Sequence, residues 1–264
     1  MRVRPIAALL FFAAVRPLSA QTADQARLIL SVGTGIVTGA DLWSIPGQPV
    51  FQGLSTVDTF DLGRRIRPAW GIVFSGTYFP NDHIGYTGEA FLIGLGTEDA
   101  CRLRFSSGSA ENAAVCTSIQ GSQKSATAVA VSTGLIYRTG SHKRVSPYFR
   151  GNLGLSISQQ STVRMIGSFF DPNVNDNVDK IIFSDPKPKR VTWYTSFGAG
   201  LTFAAGHGYQ VRFEARDNFV GIPVVTGATS HDGIVPTHSI RGKNLFSLLA
   251  SFDVVLERRR GRRY

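Results

Sequence analysis

Five histidines, His83, His142, His207, His231 and His238, are the side chains best suited to proton transfer near neutral pH. The first three fall in or beside short turn-like segments. The last two fall in a long polar stretch, and none stands on an alternating segment beside a serine it could activate. His231-Asp232 is an adjacent base–acid pair, for which hydration in a loop is the plainer reading. The run Asp171-Pro172-Asn173-Val174-Asn175-Asp176-Asn177-Val178-Asp179 has the oxygen density of a calcium loop. It lacks the sharp-turn glycine, having Asp176 there, and Ile182 stands where a bidentate Glu would be needed. A polar loop is therefore expected, with no metal and no cofactor. Cys101 and Cys116, the two cysteines, have no histidine near them to complete a metal site. In an oxidising compartment they should form a disulfide worth about 3 kcal/mol at that spacing.

A second group of reactive types is ionic: Glu89, Arg138, Arg150, Arg212, Glu214, Arg216, Asp253 and Glu257. Whether they meet depends on the elements that carry them. Eight segments alternate with a two-residue period, at 27–38, 68–79, 84–95, 125–138, 146–158, 191–205, 208–219 and 244–257. In the sixth, Val191, Trp193, Phe197, Ala199, Leu201 and Phe203 share one face, and Thr192, Tyr194, Ser196, Gly198, Gly200 and Thr202 the other. The seventh sets Tyr209, Val211, Phe213 and Ala215 against Gln210, Arg212, Glu214, Arg216 and Asn218. These runs exceed the usual strand of about 5–6 residues and match the ~9–11 of a tilted membrane strand. All eight ionic residues fall on the polar faces.

Composition agrees. Only 17% of residues are charged, there are 28 glycines, and past residue 20 no unbroken apolar run is long enough for a membrane helix. Residues 1–20 read as a cleaved export signal: Arg2 and Arg4, an apolar run from Pro5 to Val15, then Leu18-Ser19-Ala20. Removing them takes three arginines and no acid, lowering the net charge from +10 to +7. Much of the rest sits in the tail 258–264, expected on the periplasmic side, so the basic balance does not imply a nucleic-acid partner. The segments are joined alternately by short turns (Pro80 to His83, Thr139 to Val145, Gly206-His207) and by long stretches at 39–67, 96–124, 159–190 and 220–243. Short turns at one end and long loops at the other are the organisation of an antiparallel membrane barrel. With odd strands running outward, Trp70, Trp193, Phe219 and Phe246 fall at the long-loop rim. Tyr78, Tyr86, Tyr137, Phe149, Phe203 and Tyr209 fall near the short-turn rim, as two aromatic girdles.

The export signal, eight long strands and alternating loops resemble the small outer-membrane barrels of the outer-membrane protein A, outer-membrane protein X and opacity-protein type over residues 27–257. Segments such as GEAFLIGLG (88–96), YFRGNLGLSIS (148–158) and YQVRFEARDNF (209–219) carry the style. The resemblance implies an all-β, eight-stranded antiparallel up-and-down transmembrane β-barrel over 21–257, monomeric, in a bacterial outer membrane. One departure is the end of the chain, where a basic tail follows the last strand before Tyr264. Some barrels of this size are lipid-modifying or proteolytic enzymes; with no histidine on the wall, no enzyme is expected. An eight-stranded barrel is just wide enough for its own side chains to fill. Glu89, Arg150, Arg212, Glu214, Arg216 and Asp253 are then expected to form an ionic plug, a charged porin-like channel being the alternative. The expected role is structural or surface-binding, through long extracellular loops. The expected partners are outer-membrane lipids, lipopolysaccharide and the barrel-assembly machinery. Arg64, Arg65, Arg67 and Lys187-Pro188-Lys189-Arg190 fall near the outer rim, where lipopolysaccharide phosphates and plain solvation are equal readings.

Overall fold

The computed structural model describes residues 27–52, 56–139, 144–159, 161–206, 208–229 and 233–257. The export segment, the tail 258–264, His142, His207 and the His231-Asp232 pair lie outside them. In chain order the elements are β1 (Arg27–Val37), β2 (Ala40–Gln52), β3 (Thr56–Ile66), β4 (Ala69–Phe79), β5 (Ile84–Gly94) and β6 (Thr97–Phe105). After them come α1 (Ala110–Ile119), β7 (Gln123–Lys124), β8 (Thr127–Arg138), β9 (Val145–Ser158), β10 (Met165–Asp171) and β11 (Asp176–Phe183). The chain ends with β12 (Val191–Gly206), β13 (Tyr209–Val225) and β14 (His238–Glu257).

Eight of these close into a barrel in the order β1-β14-β13-β12-β9-β8-β5-β4, every neighbour antiparallel, so the sheet has no free edge within the wall. The alternation sorts side chains without ambiguity even in β1, where both faces are aliphatic. Ile29, Ser31 and Val37 are buried inside, while Leu28, Leu30, Val32 and Ile36 are exposed outside. The outer surface is predominantly apolar, as at Trp70 (69% exposed), Leu153 (65%) and Phe149 (63%), whereas Arg216 inside is 1% exposed. Such an inversion of the water-soluble pattern is the signature of a wall that faces lipid. Antiparallel strands, short turns at one end and an apolar belt together make this a barrel of the outer-membrane type.

The eight segments read from the sequence coincide with the barrel strands, and the last two are longer than expected. Residues 220–225 and 238–243 continue the β13–β14 pairing, from Val220 opposite Lys243 to Val225 opposite His238. In β13 this extension is buried at every position, so its alternation disappears. The four long connections are not open loops. The first two build a four-stranded sheet, β2-β3-β6-β7, with α1, and the third forms the β10–β11 hairpin. These pieces make a lid over the long-loop end. Its core (Trp43, Phe60, Leu62, Val115, Ile119, Met165, Phe183) is continuous with the upper lumen through Val37, Phe91, Ile93 and Leu245. Helix α1 starts at Ser109, whose hydroxyl accepts from the Asn112 amide at 3.2 Å, satisfying an otherwise orphaned donor. A Cys101–Cys116 disulfide ties it to β6.

Candidate functional site

The lumen is the place where the wall concentrates chemistry. Alternation sends Glu89 (β5), Arg150 (β9), Arg212, Glu214 and Arg216 (β13) and Asp253 (β14) inward, and all six are buried. Arg216 holds Glu89 through both terminal nitrogens, at 2.5 and 3.1 Å, and gives its Nε–H to Glu214 Oε1 at 2.6 Å. Arg150 pairs with Glu89 and lies 3.4 Å from Glu214 Oε1. The Tyr148 hydroxyl donates to the other Glu214 oxygen at 2.6 Å, and Arg212 reaches Asp253 at 3.4 Å. Three guanidiniums thus face three carboxylates, which is the balance needed to keep charge in a water-poor space. Room for the acids comes from glycine: at Gly198 a Cβ would sit 2.5 Å from Glu214 Oε1.

Apolar side chains flank the Glu89–Arg150–Glu214–Arg216 cluster on both sides, while Arg212 and Asp253 line a cavity that continues to Arg138 at the short-turn rim. Above it the Phe91 ring lies 5.5 Å from the Arg216 guanidinium, opposite Ala130 and one step below Ile93 and Ala128. Below it Tyr148 packs with Ile29, Phe79 and Ile136. Arg138 stays apart at the short-turn rim, 3.8 Å over Phe79 and donating to the Asp82 carbonyl at 3.0 Å. The Glu257 side chain lies outside the described residues. Tyr148, Tyr194 and Asn218 join the polar interior, the last two bonded to each other at 2.7 Å; strand alternation placed them inward without marking them as partners.

The lid has its own buried polar staples. Arg64 makes a forked contact with Asp99 (2.5 and 2.8 Å) and donates to the carbonyls of Thr162 and Arg164, joining the first three long connections. Gln48 is bonded twice to Thr229, bringing in the fourth. Asp58 accepts from the Ser107 amide and from Asn112. Its burial pushes the carboxyl up, but these hydrogen bonds and the Lys180 charge outweigh that and hold it below its ordinary 3.8. The Lys124 amine is pushed down, first by burial and then by the nearby Arg64 charge.

The girdle residues Trp70, Tyr78, Tyr137, Trp193, Phe203, Tyr209 and Phe246 point outward and are exposed, with Phe219 half-buried. Other expectations change. Arg64, expected near the outer rim as a lipopolysaccharide contact or a solvated charge, is consumed by Asp99 because a buried guanidinium must be paired. His238 lies not in a loop but at the start of β14, 3.8 Å from Asp185. The calcium-like run is the turn of the β10–β11 hairpin, where Asp171 binds the Asn173 amide and Asn175 takes φ 51°.

No family model and no curated protein matches the chain. Among solved structures it is similar to the outer membrane protein OprG from Pseudomonas aeruginosa (11% identity, 89% of this chain and 98% of that one, TM-score 0.47). It is also similar to the Neisserial surface protein A (9%, 86% and 96%, 0.43) and to the outer membrane enzyme PagL (11%, 86% and 98%, 0.31).

Proposed function

We propose that this protein is a non-conducting, non-enzymatic outer-membrane barrel that presents a folded lid at the cell surface, in a structural or surface-binding role. The observation that supports this reading is the cross-paired charge cluster in the lumen. Glu89, Arg150, Glu214 and Arg216 are cross-paired between the Phe91 and Tyr148 layers, and the core above them runs on into the lid. Selective pores usually line their constriction with an excess of one sign, whereas this one is neutral and tied off. The apolar belt runs round all eight strands, which supports a monomer surrounded by lipid and inserted by the barrel-assembly machinery. The described histidines are engaged at the periphery: His83 against the Arg138 carbonyl and the Tyr137 ring, His238 beside Asp185.

Planar-bilayer recording tests the proposal. The folded protein should give no unitary conductance steps. Reproducible steps that change with Arg216→Ala would establish the channel reading instead. Lipid A mass profiles from cells with and without the protein should coincide, and a changed acylation pattern would return the chain to the enzymes.

A further inference from the structure

We infer that a cationic groove at the long-loop rim, formed by Lys124, Arg164 and Arg190, binds the phosphorylated headgroup of an outer-leaflet lipid. This deepens the partner reading above and rests on the barrel's membrane-spanning position. The groove has a volume of about 600 Å³ and also carries Ser161 and Ser184 in its lining. Its three cations come from separate segments: the end of the second long connection, the start of the third and its return to β12.

Lys124 is held 3.7 Å from Asp99, whose carboxylate is already occupied by the Arg64 fork, and Lys124 is only half-buried. Among the described residues neither Arg164 nor Arg190 is paired with a carboxylate, although the backbone carbonyls of both are used inside the fold. One acid, Asp185, lines the groove. One of its oxygens accepts from the Lys187 amide at 3.0 Å, and the other, 3.8 Å from His238, is buried without a hydrogen-bond partner among the described residues. The lining therefore has a surplus of positive charge, three cations to one acid, and Lys187 and Lys189 in the adjoining stretch are exposed. Guanidinium and ammonium groups converging with hydroxyls are the donor set that a phosphate takes.

Height selects the source of that phosphate. Arg190 closes the top of the wall, its carbonyl accepting from the Ser158 amide at 2.8 Å, and Gln159 donates to Thr127 at 3.2 Å. One residue down, Val191 and Ile157 are exposed on the lipid face, and Trp193 follows as a girdle ring. A phosphate seated in the groove would leave acyl chains lying along Ile157, Val191 and Leu155. A free anion would gain nothing from that apolar wall.

Native mass spectrometry of the detergent-solubilised protein tests this, using bisphosphorylated lipid A, its dephosphorylated form and inorganic phosphate as probes. The bisphosphorylated lipid should be retained and the dephosphorylated one lost. The variant K124Q/R164Q/R190Q should bind at least about tenfold more weakly, the loss of one or more charge-assisted contacts. R190Q alone, at an exposed side chain, should weaken binding with the fold intact, which covers the case in which the triple variant does not assemble. Equal retention by wild type and R190Q, or equal retention of both lipids, overturns the assignment. Displacement by millimolar inorganic phosphate makes the groove a free-anion site and also overturns it. An unheated-against-boiled gel shift on each sample keeps a failure of the groove distinct from a failure of the barrel.

Discussion

Glu89 accepts from two guanidiniums at once, so its charge is the hinge of the lumen network. Glu89→Gln leaves Arg150 and Arg216 to share Glu214, and should cost about 3–5 kcal/mol in urea unfolding followed by tryptophan emission in micelles. The paired change Glu89→Leu with Arg216→Met should cost less than its two halves combined, because it removes both charges together. In the lid, Asp58 has a folded pKa below its unfolded 3.8. Its contribution is thus complete above about pH 4 and fades as the pH falls through the lower folded value. In a W70F/W193F background Trp43 alone reports the lid. Its thermal transition should drop between pH 5 and pH 3, and Asp58→Asn should lower the pH 5 transition and flatten that difference. At this scale the sequence was legible only on the wall. A strict two-residue period put Arg212, Glu214 and Arg216 on one face, but nothing local distinguished Arg64, which is buried, from Arg65, which is 61% exposed at the side chain.

Among elements, the divide between legible and hidden follows the solvent on each face. Barrel strands separate lipid from lumen, so apolar and polar residues alternate and the boundaries could be read closely, except where β13 and β14 continue past the alternation into the lid. β3 alternates too, but Asp58 and Arg64 occupy inward positions beside Phe60, Leu62 and Ile66, and the apolar signal is broken. β2 adds register shifts between Asp41 and Trp43 and between Ile45 and Gln48, which move the period out of phase. The helix shows too weak a stripe against its neighbours to be found without its Ser109 cap. Tying α1 to β6, the disulfide should contribute about 3 kcal/mol to the lid alone. Replacing Cys101 and Cys116 by serine should open the 102–124 region to trypsin while the unheated band keeps its shifted mobility. Loss of that mobility would show that the barrel itself depends on the bond.

For the molecule as a whole, lipid is the solvent of one surface, and this is directly testable. Leu153 points outward at mid-wall and is 65% exposed. Leu153→Arg should destabilise the barrel by about 2–4 kcal/mol in phospholipid vesicles, the cost of a charge near the bilayer midplane. On a water-soluble barrel the same change would be nearly silent, so an unaltered unfolding curve would contradict the membrane assignment.

The disulfide also bears on biogenesis. Cys101 and Cys116 both belong to the segment between β5 and β8, and the periplasm oxidises thiols before the outer membrane is reached. What crosses the bilayer during insertion is then a doubled chain rather than a single thread. The nascent sheet must stay unzipped, wide enough to pass that loop, until β1 and β14 meet.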